Sequence, residues 1–237
     1  MKKRSLPQYS GSLSLEVIVN GMNASARNAE RLFKDAEILF NAKSYPTSVS
    51  LASLAIEEAG KISILRGLSL LSDKYLIKKA WKDYRSHRSK NTSWIIPQVI
   101  AEGAKNVFDF KEALDPKSEH TYLLDSIKQL GFYTDFFHEK YCCYPSDVID
   151  EDLAKKILFV AKLLSKYREI TVREIELWVE YVRPHWGTSE MFQACVRWSE
   201  AMKIEGLSNN VEETKNFFFS ENFQEFYKKE NGADEGI

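Results

Sequence analysis

Apolar residues recur at three- and four-residue intervals through most of the chain, which is the spacing of amphipathic helices. One such stripe consists of Ala26, Ala29, Phe33, Ala36 and Phe40. The same spacing predicts eight helical segments: 15–42 (or 22–42), 45–72, 73–87, 94–114, 122–141, 150–182, 188–204 and 211–229. The fifth segment reads as part helix and part extended chain. The pattern therefore predicts an all-α fold.

Turn signals are too few for a many-stranded fold, because the 237 residues include only 10 Gly and 6 Pro. We predict one helical domain over residues 1–182, which begins with a loose polar arm at 1–12. A helical extension over 183–237 is predicted to pack on this domain. Pro184 separates the two, because proline cannot continue a helix.

The second predicted helix is apolar on almost every face, which is typical of a central, buried helix. It nevertheless carries Glu57, Glu58 and Lys61 in its middle. Ionised groups are costly to bury unless they are paired. Two interpretations stay open: an internal ion network that fixes the helix register, or half of an active site. Gly60 in the same turn suggests close approach by another helix or a ligand.

Charge is unevenly distributed along a chain whose net charge is −1. Residues 74–90 hold seven Lys or Arg against one Asp, whereas residues 205–237 hold eight acids against three bases. A basic stretch of this kind is where an anionic partner would bind. The alternative is a solvated helix face that the acidic tail neutralises.

Other features narrow the class of protein. Three cysteines, two of them adjacent (Cys142 and Cys143), form neither a disulfide framework nor a zinc pattern, which is typical of a reducing, cytoplasmic compartment. The chain has no run of 18 apolar residues, so the sequence predicts no membrane span. Phosphate-binding glycine loops and paired Glu-x-x-His elements are also missing, so we expect no cofactor and no metal.

His87 is the histidine with the most suggestive surroundings, since Arg85, Arg88 and Lys90 flank it. A histidine titrating near neutrality can act as base and acid in RNA cleavage, and nearby cations can hold the phosphate. Glu57 or Glu58 would orient the imidazole if the third helix packs across the second. A solvated surface histidine remains the alternative.

Three short elements occur in an order that resembles the AbiV-type abortive-infection proteins of the HEPN superfamily. They are NAKSYPTSVSLASLAIEEAGK at 41–61, Trp81…Tyr84-x-x-His87-x-x-Lys90, and Gly131-Phe-Tyr133-Thr-Asp135. The resemblance covers roughly residues 25–165. It implies an up-and-down helical bundle, commonly a homodimer, that shuts down a phage-infected cell by acting on RNA or translation.

The resemblance also implies site residues. Glu57, Glu58, Lys61 and His87 are then the candidate catalytic residues. The candidates for binding RNA phosphates are Lys82, Arg85, Arg88 and Lys90. Tyr133 and Asp135 match the family's Tyr-x-Asp element and are candidate site-lining residues, although a packed tyrosine beside a helix-end aspartate explains them equally well.

The chain departs from the superfamily's ribonuclease signature, in which an arginine precedes a histidine by four to six intervening residues. Arg85 lies two residues before His87, and Arg183 lies two before His185. Three hypotheses therefore stay open. The chain is a metal-independent ribonuclease, or it binds RNA, ribosomes or a phage-encoded trigger without cleaving anything, or it is the inert HEPN half of a toxin–antitoxin pair.

Overall fold

The computed structural model describes residues 8–105, 109–111, 113–137 and 141–219. The helices within them are α1 (Leu15–Asn41), α2 (Tyr45–Leu68), α3 (Lys74–Arg85), α4 (His87–Lys90), α5 (Ile96–Ala101), α6 (Glu119–Phe132), α7 (Pro145–Val148), α8 (Glu151–Leu164), α9 (Val172–Val182), α10 (Met191–Ile204) and α11 (Val211–Phe219). A short 3₁₀ turn spans Arg183–His185, and β1 (Asp135–Phe137) pairs antiparallel with β2 (Tyr141–Cys143). The predicted all-α helical bundle is confirmed.

Helix α2 is the central element of the bundle, with α1, α3, α4, α6 and α8 packed around it. Its Val49, Ala52 and Ile56 are buried against Leu124 of α6 and Ile157 of α8. Burial on all sides explains why the sequence of α2 has no polar face. Any charge in the middle of α2 must therefore find its partners inside the protein.

The third predicted helix, 73–87, is divided at Ser86. This residue is extended (φ −78°, ψ 125°), and its hydroxyl accepts a hydrogen bond from the backbone N–H of Ser89. Serine in this geometry caps a new helix. Helix α3 therefore ends at Arg85, and the four-residue helix α4 starts with His87 in a new direction.

The predicted helix over 94–114 is wrong, because α5 ends at Ala101. Gly103 follows with φ +107°, a conformation that glycine adopts easily and that ends a helix. Trp94, the predicted start, instead donates its indole N–H to the carbonyl of His120. The described residues between α5 and α6 form turns.

The predicted helix over 150–182 is also wrong, because it consists of α8 and α9 with a break at 165–171. Thr171 and Glu174 form a reciprocal capping box, in which each side chain accepts the other's backbone N–H. Asn23 of α1 exchanges two hydrogen bonds with the backbone of Ile170, at 2.8 and 2.9 Å. These contacts fix the break.

The helices after Pro184 contact the bundle through α9. Helix α10 packs on α9 and on α11, and the Arg183 guanidinium donates a hydrogen bond to the carbonyl of Ser69. Whether residues 183–237 form a separate extension stays a prediction. The remainder of the predicted helix 211–229, after Phe219, lies outside the described residues, as do residues 1–7 of the predicted arm. No helix in the described ranges is long and apolar enough to cross a membrane.

Candidate functional site

Three helices contribute to one cluster of charged side chains. Glu57 comes from the middle of α2, His87 and Lys90 come from α4, and Asp125 and Lys128 come from α6. The structure thus brings the acidic residue of the central helix next to the histidine of the basic stretch, as the sequence analysis expected if the two helices crossed. We call these five residues the Glu57 cluster.

The buried carboxylate of Glu57 is the centre of the cluster, with only 3% of its side chain exposed. Its Oε1 lies 2.6 Å from Lys128 Nζ, and its Oε2 lies 2.6 Å from His87 Nδ1 and 3.2 Å from Lys90 Nζ. Lys128 also contacts Asp125 Oδ1 at 2.6 Å. Every carboxylate oxygen of Glu57 therefore has a cationic or polar partner.

The partners of Glu57 keep it ionised. Burial on its own raises the pKa of this carboxyl, but the hydrogen bonds from Lys128 and His87 and the charge of Lys90 outweigh burial and lower the pKa below 4.5. Burial likewise tends to lower the pKa of Lys128, whereas its bonds to Asp125 and Glu57 raise it above 10.5. Glu57 and Lys128 are therefore both charged at neutral pH.

The ionised state of Glu57 decides how the His87 ring is protonated. A carboxylate can only accept hydrogen bonds, so its 2.6 Å contact with His87 Nδ1 favours the tautomer in which Nδ1 carries the hydrogen, over the one in which Nδ1 accepts from Lys128 Nζ at 3.2 Å. The other ring nitrogen, Nε2, then has its lone pair free when the ring is neutral. About half of the His87 side chain is exposed (51%), so the ring is accessible from solvent.

Two glycines allow the helices to come this close. A Cβ atom on Gly60 would lie 2.0 Å from the backbone carbonyl oxygen of Lys90, and one on Gly131 would lie 2.2 Å from Ser50 Oγ. The prediction that Gly60 marks a close approach is confirmed, since α4 lies directly against it. Glycine here sets the distance between Glu57 and the α4 side chains.

The same groups resemble a cation site. Ligand atoms of Glu57, His87 and Asp125 all lie within 4.8 Å of one another. The Lys128 ammonium, however, lies 2.6 Å from both carboxylates and 3.2 Å from His87 Nδ1. A divalent cation could bind these three groups only after displacing Lys128, so the ammonium supplies the positive charge of this position.

Glu58 and Lys61 are placed beside the Glu57 cluster and pair with each other rather than with Glu57. Their side chains are each 19% exposed, and Lys61 Nζ lies 5.3 Å from the centre of the Tyr84 ring. Lys61 has the favourable four-residue spacing from Glu57, but the buried carboxylate is already occupied by cations from other helices.

The four predicted phosphate-binding residues are placed differently from one another. Arg85 turns away to the carbonyls of Trp81 and Tyr9, and Arg88 donates to Thr121 Oγ1 and to the carbonyl of Lys117. Lys90 is buried on Glu57, whereas Lys82 is exposed. Their role in binding RNA stays a prediction.

A groove runs along one face of α6 beside the cluster. It has a volume of about 540 Å³, and Asp125, Tyr122 and Tyr133 line it together with Asp135. Both tyrosines are more than 60% exposed. Tyr133 and Asp135 thus line a surface that reaches the Glu57 cluster through Asp125.

Lys128 and Asp125 were missed by the sequence analysis, although a signal for them exists. Lys128 lies on the buried face of α6, in register with Leu124 and Gly131, where a lysine is as anomalous as Glu57 is in α2. Asp125 precedes it by three residues, a spacing that favours ion pairs on helices. A charged residue within an apolar stripe was thus a signal on both helices.

The described residues form the helical bundle that the sequence resemblance to HEPN proteins implied. The family model for AbiV, HEPN_AbiV, matches residues 17–166. The chain therefore belongs to the AbiV family of HEPN proteins. The match includes the whole Glu57 cluster and ends before α9. No curated protein and no solved structure matches the chain significantly.

Proposed function

We propose that the chain is an abortive-infection effector that cleaves RNA without a metal ion, with His87 as its proton-transferring residue. The observation that carries this proposal is the 2.6 Å contact between His87 Nδ1 and the ionised Glu57. It fixes the imidazole with Nε2 open, which is how a carboxylate prepares a histidine for general acid–base catalysis.

In the proposed reaction, Nε2 of His87 removes the proton from a ribose 2′-hydroxyl. The 2′-oxygen then forms a bond to the adjacent phosphorus, and the bond from phosphorus to the 5′-oxygen breaks. A protonated imidazole gives its proton to this leaving oxygen, which leaves a 2′,3′-cyclic phosphate and a 5′-hydroxyl. In a homodimer, a second copy of the chain would supply the second imidazole.

The groove on α6 supports RNA as the substrate. Exposed tyrosines such as Tyr122 and Tyr133 can stack on unpaired bases, which is the usual way proteins hold single-stranded RNA. Asp125 belongs both to this groove and to the cluster, so a base bound in the groove would place its backbone near His87. Lys82 and Arg88 are the proposed phosphate contacts.

Cleavage can be tested with the purified chain, total RNA and tRNA in the presence of EDTA. We expect discrete fragments with cyclic phosphate ends from the parent and none from His87→Ala. The matched control is His185→Ala, because His185 pairs with Glu190 outside the site. Equal cleavage by His87→Ala and the parent would contradict the assignment of His87.

A second candidate function is binding to RNA or ribosomes without cleavage. The chain would then arrest translation, or it would serve as the HEPN half of a toxin–antitoxin pair. The observation that favours it is that Lys90 and Lys128 are both buried and committed to carboxylates, so neither is free to hold a phosphate. This function predicts salt-sensitive RNA or ribosome binding with no fragments. Fragments that disappear in His87→Ala would rule it out.

A further inference from the structure

A second polar cavity lies at the far end of α2, among residues that the proposed reaction does not use. It has a volume of about 420 Å³, and Arg66 of α2 lines it together with Arg168, Trp198 of α10 and the loop that contains Asn209 and Asn210. Only Arg66 falls within the residues that the family model matches. The cavity is thus built mainly from the part of the chain outside the AbiV match.

Arg66 enters this cavity without a partner. Its side chain is half-buried. The Nε atom is buried and makes no hydrogen bond, and Arg66 takes part in none of the ion pairs among the described residues, where the acid beside it pairs with Arg168. Burial lowers the pKa of Arg66, and the nearby charge of Arg168 lowers it further, while Glu174 opposes both. A half-buried guanidinium is less well hydrated than an exposed one, so an anion that accompanies it is favourable.

The acid whose charge acts on Arg66, Glu174, is already bonded to Arg168. Glu174 accepts two hydrogen bonds from Arg168, at 2.9 and 2.8 Å, and it also caps the first turn of α9. Glu174 thus neutralises Arg168 and acts on Arg66 only through its charge, so the pair of arginines and this carboxylate keep one surplus positive charge. An incoming anion would restore neutrality.

Other donors lie on the walls of the cavity. The exposed amides of Asn209 and Asn210 lie at the opening. Trp198 and Met202 add apolar surface. Convergent donors on a partly apolar wall are the usual composition of a small-molecule site.

We propose that this cavity binds a small organic phosphate of about mononucleotide size, with the phosphate on Arg66 and the organic part against Trp198. Phosphate fits because a guanidinium donates to its oxygens in parallel pairs. The organic part is needed because the volume falls in the range of about 300–1,000 Å³ of small-molecule sites, far more than an inorganic ion fills.

The test measures binding to the full chain by calorimetry, with AMP, GMP, ribose 5-phosphate, inorganic phosphate and adenosine as probes. We expect at least one of the three organic phosphates to bind more tightly than inorganic phosphate, and adenosine to bind least. The proposal is overturned if none of the phosphates binds, or if adenosine binds as tightly as AMP.

Arg66→Gln should weaken the binding of the organic phosphate by about tenfold or more, because it removes a charge-assisted hydrogen bond. The matched control is Arg31→Gln, since Arg31 is an exposed arginine of α1 that pairs with Asp35, and binding should be unchanged. Asn209→Asp places a negative charge at the exposed opening without disturbing the core, and should also weaken binding.

The chain's own acids are the competing source of an anion. If a carboxylate of this chain pairs with Arg66, Arg66→Gln lowers the melting temperature of the ligand-free protein and the parent binds no phosphate, which contradicts the proposal. We expect instead that ligand-free Arg66→Gln melts at the parent's temperature or above it. Binding of phosphate equal in Arg66→Gln and the parent would contradict it as well.

Discussion

Helix α2 carries two charged side chains whose surroundings differ, the buried Glu57 and the half-buried Arg66. Glu57 meets Lys128, Lys90 and His87, whereas Arg66, nine residues further on, has no ion-pair partner in the part of the chain that the structure describes. At 1.5 Å per residue the two lie about 14 Å apart along the helix. One charge is neutralised from within the protein, and the other is left for a ligand.

This difference separates two reasons for keeping a charge in a core. A carboxylate surrounded by cations from other helices holds those helices in one arrangement, and here it also orients His87. A half-buried cation without an ion-pair partner among the described residues contributes no such order and adds little to stability until an anion binds. The two ends of α2 should therefore respond in opposite ways to neutralisation.

The largest effect should follow Glu57→Gln. It leaves the ammonium groups of Lys90 and Lys128 buried with too little negative charge, which costs about 3 kcal/mol or more of unfolding free energy. For a chain of this size the melting temperature should fall by roughly 10 °C. Thermal and urea unfolding measure both quantities.

Glu58→Gln is the matched control for Glu57→Gln, because Glu58 is the adjacent glutamate and, among the described residues, its ion-pair partner is Lys61 at a partly exposed position. Its loss should cost less than about 1 kcal/mol. Equal destabilisation by the two substitutions would contradict the distinction between the buried cluster and the outer pair.

Gly60→Ala should have the next largest effect. The added methyl group would meet the carbonyl oxygen of Lys90 at 2.0 Å, so α4 must move away from α2. We expect a loss of about 1–3 kcal/mol, as for other overpacked sites, together with reduced RNA cleavage because His87 moves with α4.

Gly67→Ala is the control on the same helix, since nothing lies within 4 Å of its added methyl group. It should leave cleavage unchanged and stabilise the chain by about 0.4–1 kcal/mol, because alanine restricts the unfolded chain more than glycine does. A similar loss in both variants would show that the contact with Lys90 is not the cause.

Acidification should lower the unfolding free energy by less than these substitutions do. Because the pKa of Glu57 is lowered in the folded chain, its ionised form stabilises the fold fully above pH 4.5, and this contribution is lost as the pH falls through the folded value. The unfolding free energy of the parent should therefore drop below pH 4.5 more steeply than that of Glu57→Gln. Parallel pH profiles would contradict this account.

The smallest effect should be that of Arg66→Gln in the absence of ligand. Removal of a half-buried charge that has no ion-pair partner among the described residues is expected to change the unfolding free energy by less than about 1 kcal/mol, in the stabilising direction. Urea unfolding in a phosphate-free buffer measures it. Comparison with Glu57→Gln in the same buffer sharpens the contrast between the two ends of α2.

The central helix and three of the five residues of the Glu57 cluster could be predicted from sequence, because a glutamate in an all-apolar helix and a histidine beside a lysine in a basic stretch are local anomalies. The family resemblance placed them together. Lys128 carries an equally strong anomaly on α6, but its role depends on the crossing of α2 and α6. That crossing is set by Gly131 and Ser50, which a linear pattern does not connect.

The predicted helix boundaries are wrong where local contacts override the periodicity of the apolar residues. The apolar stripe of 150–182 continues through Thr171, but its capping box with Glu174 and the two hydrogen bonds between Asn23 and Ile170 start a new helix there. The sequence does not mark Arg66 as a candidate binding residue, because an arginine in the last turn of a helix is common. Its cavity and its unbonded Nε are visible only in the structure.

The tautomer of His87 tests the central claim, that ionised Glu57 holds this imidazole with Nε2 open for proton transfer. Long-range ¹H–¹⁵N spectra of histidine-labelled protein report which ring nitrogen carries hydrogen. The account predicts that neutral His87 carries it on Nδ1 in the parent, and that Glu57→Gln loses this preference while His185 is unchanged. A neutral ring in the parent that carries its hydrogen on Nε2 would contradict the account.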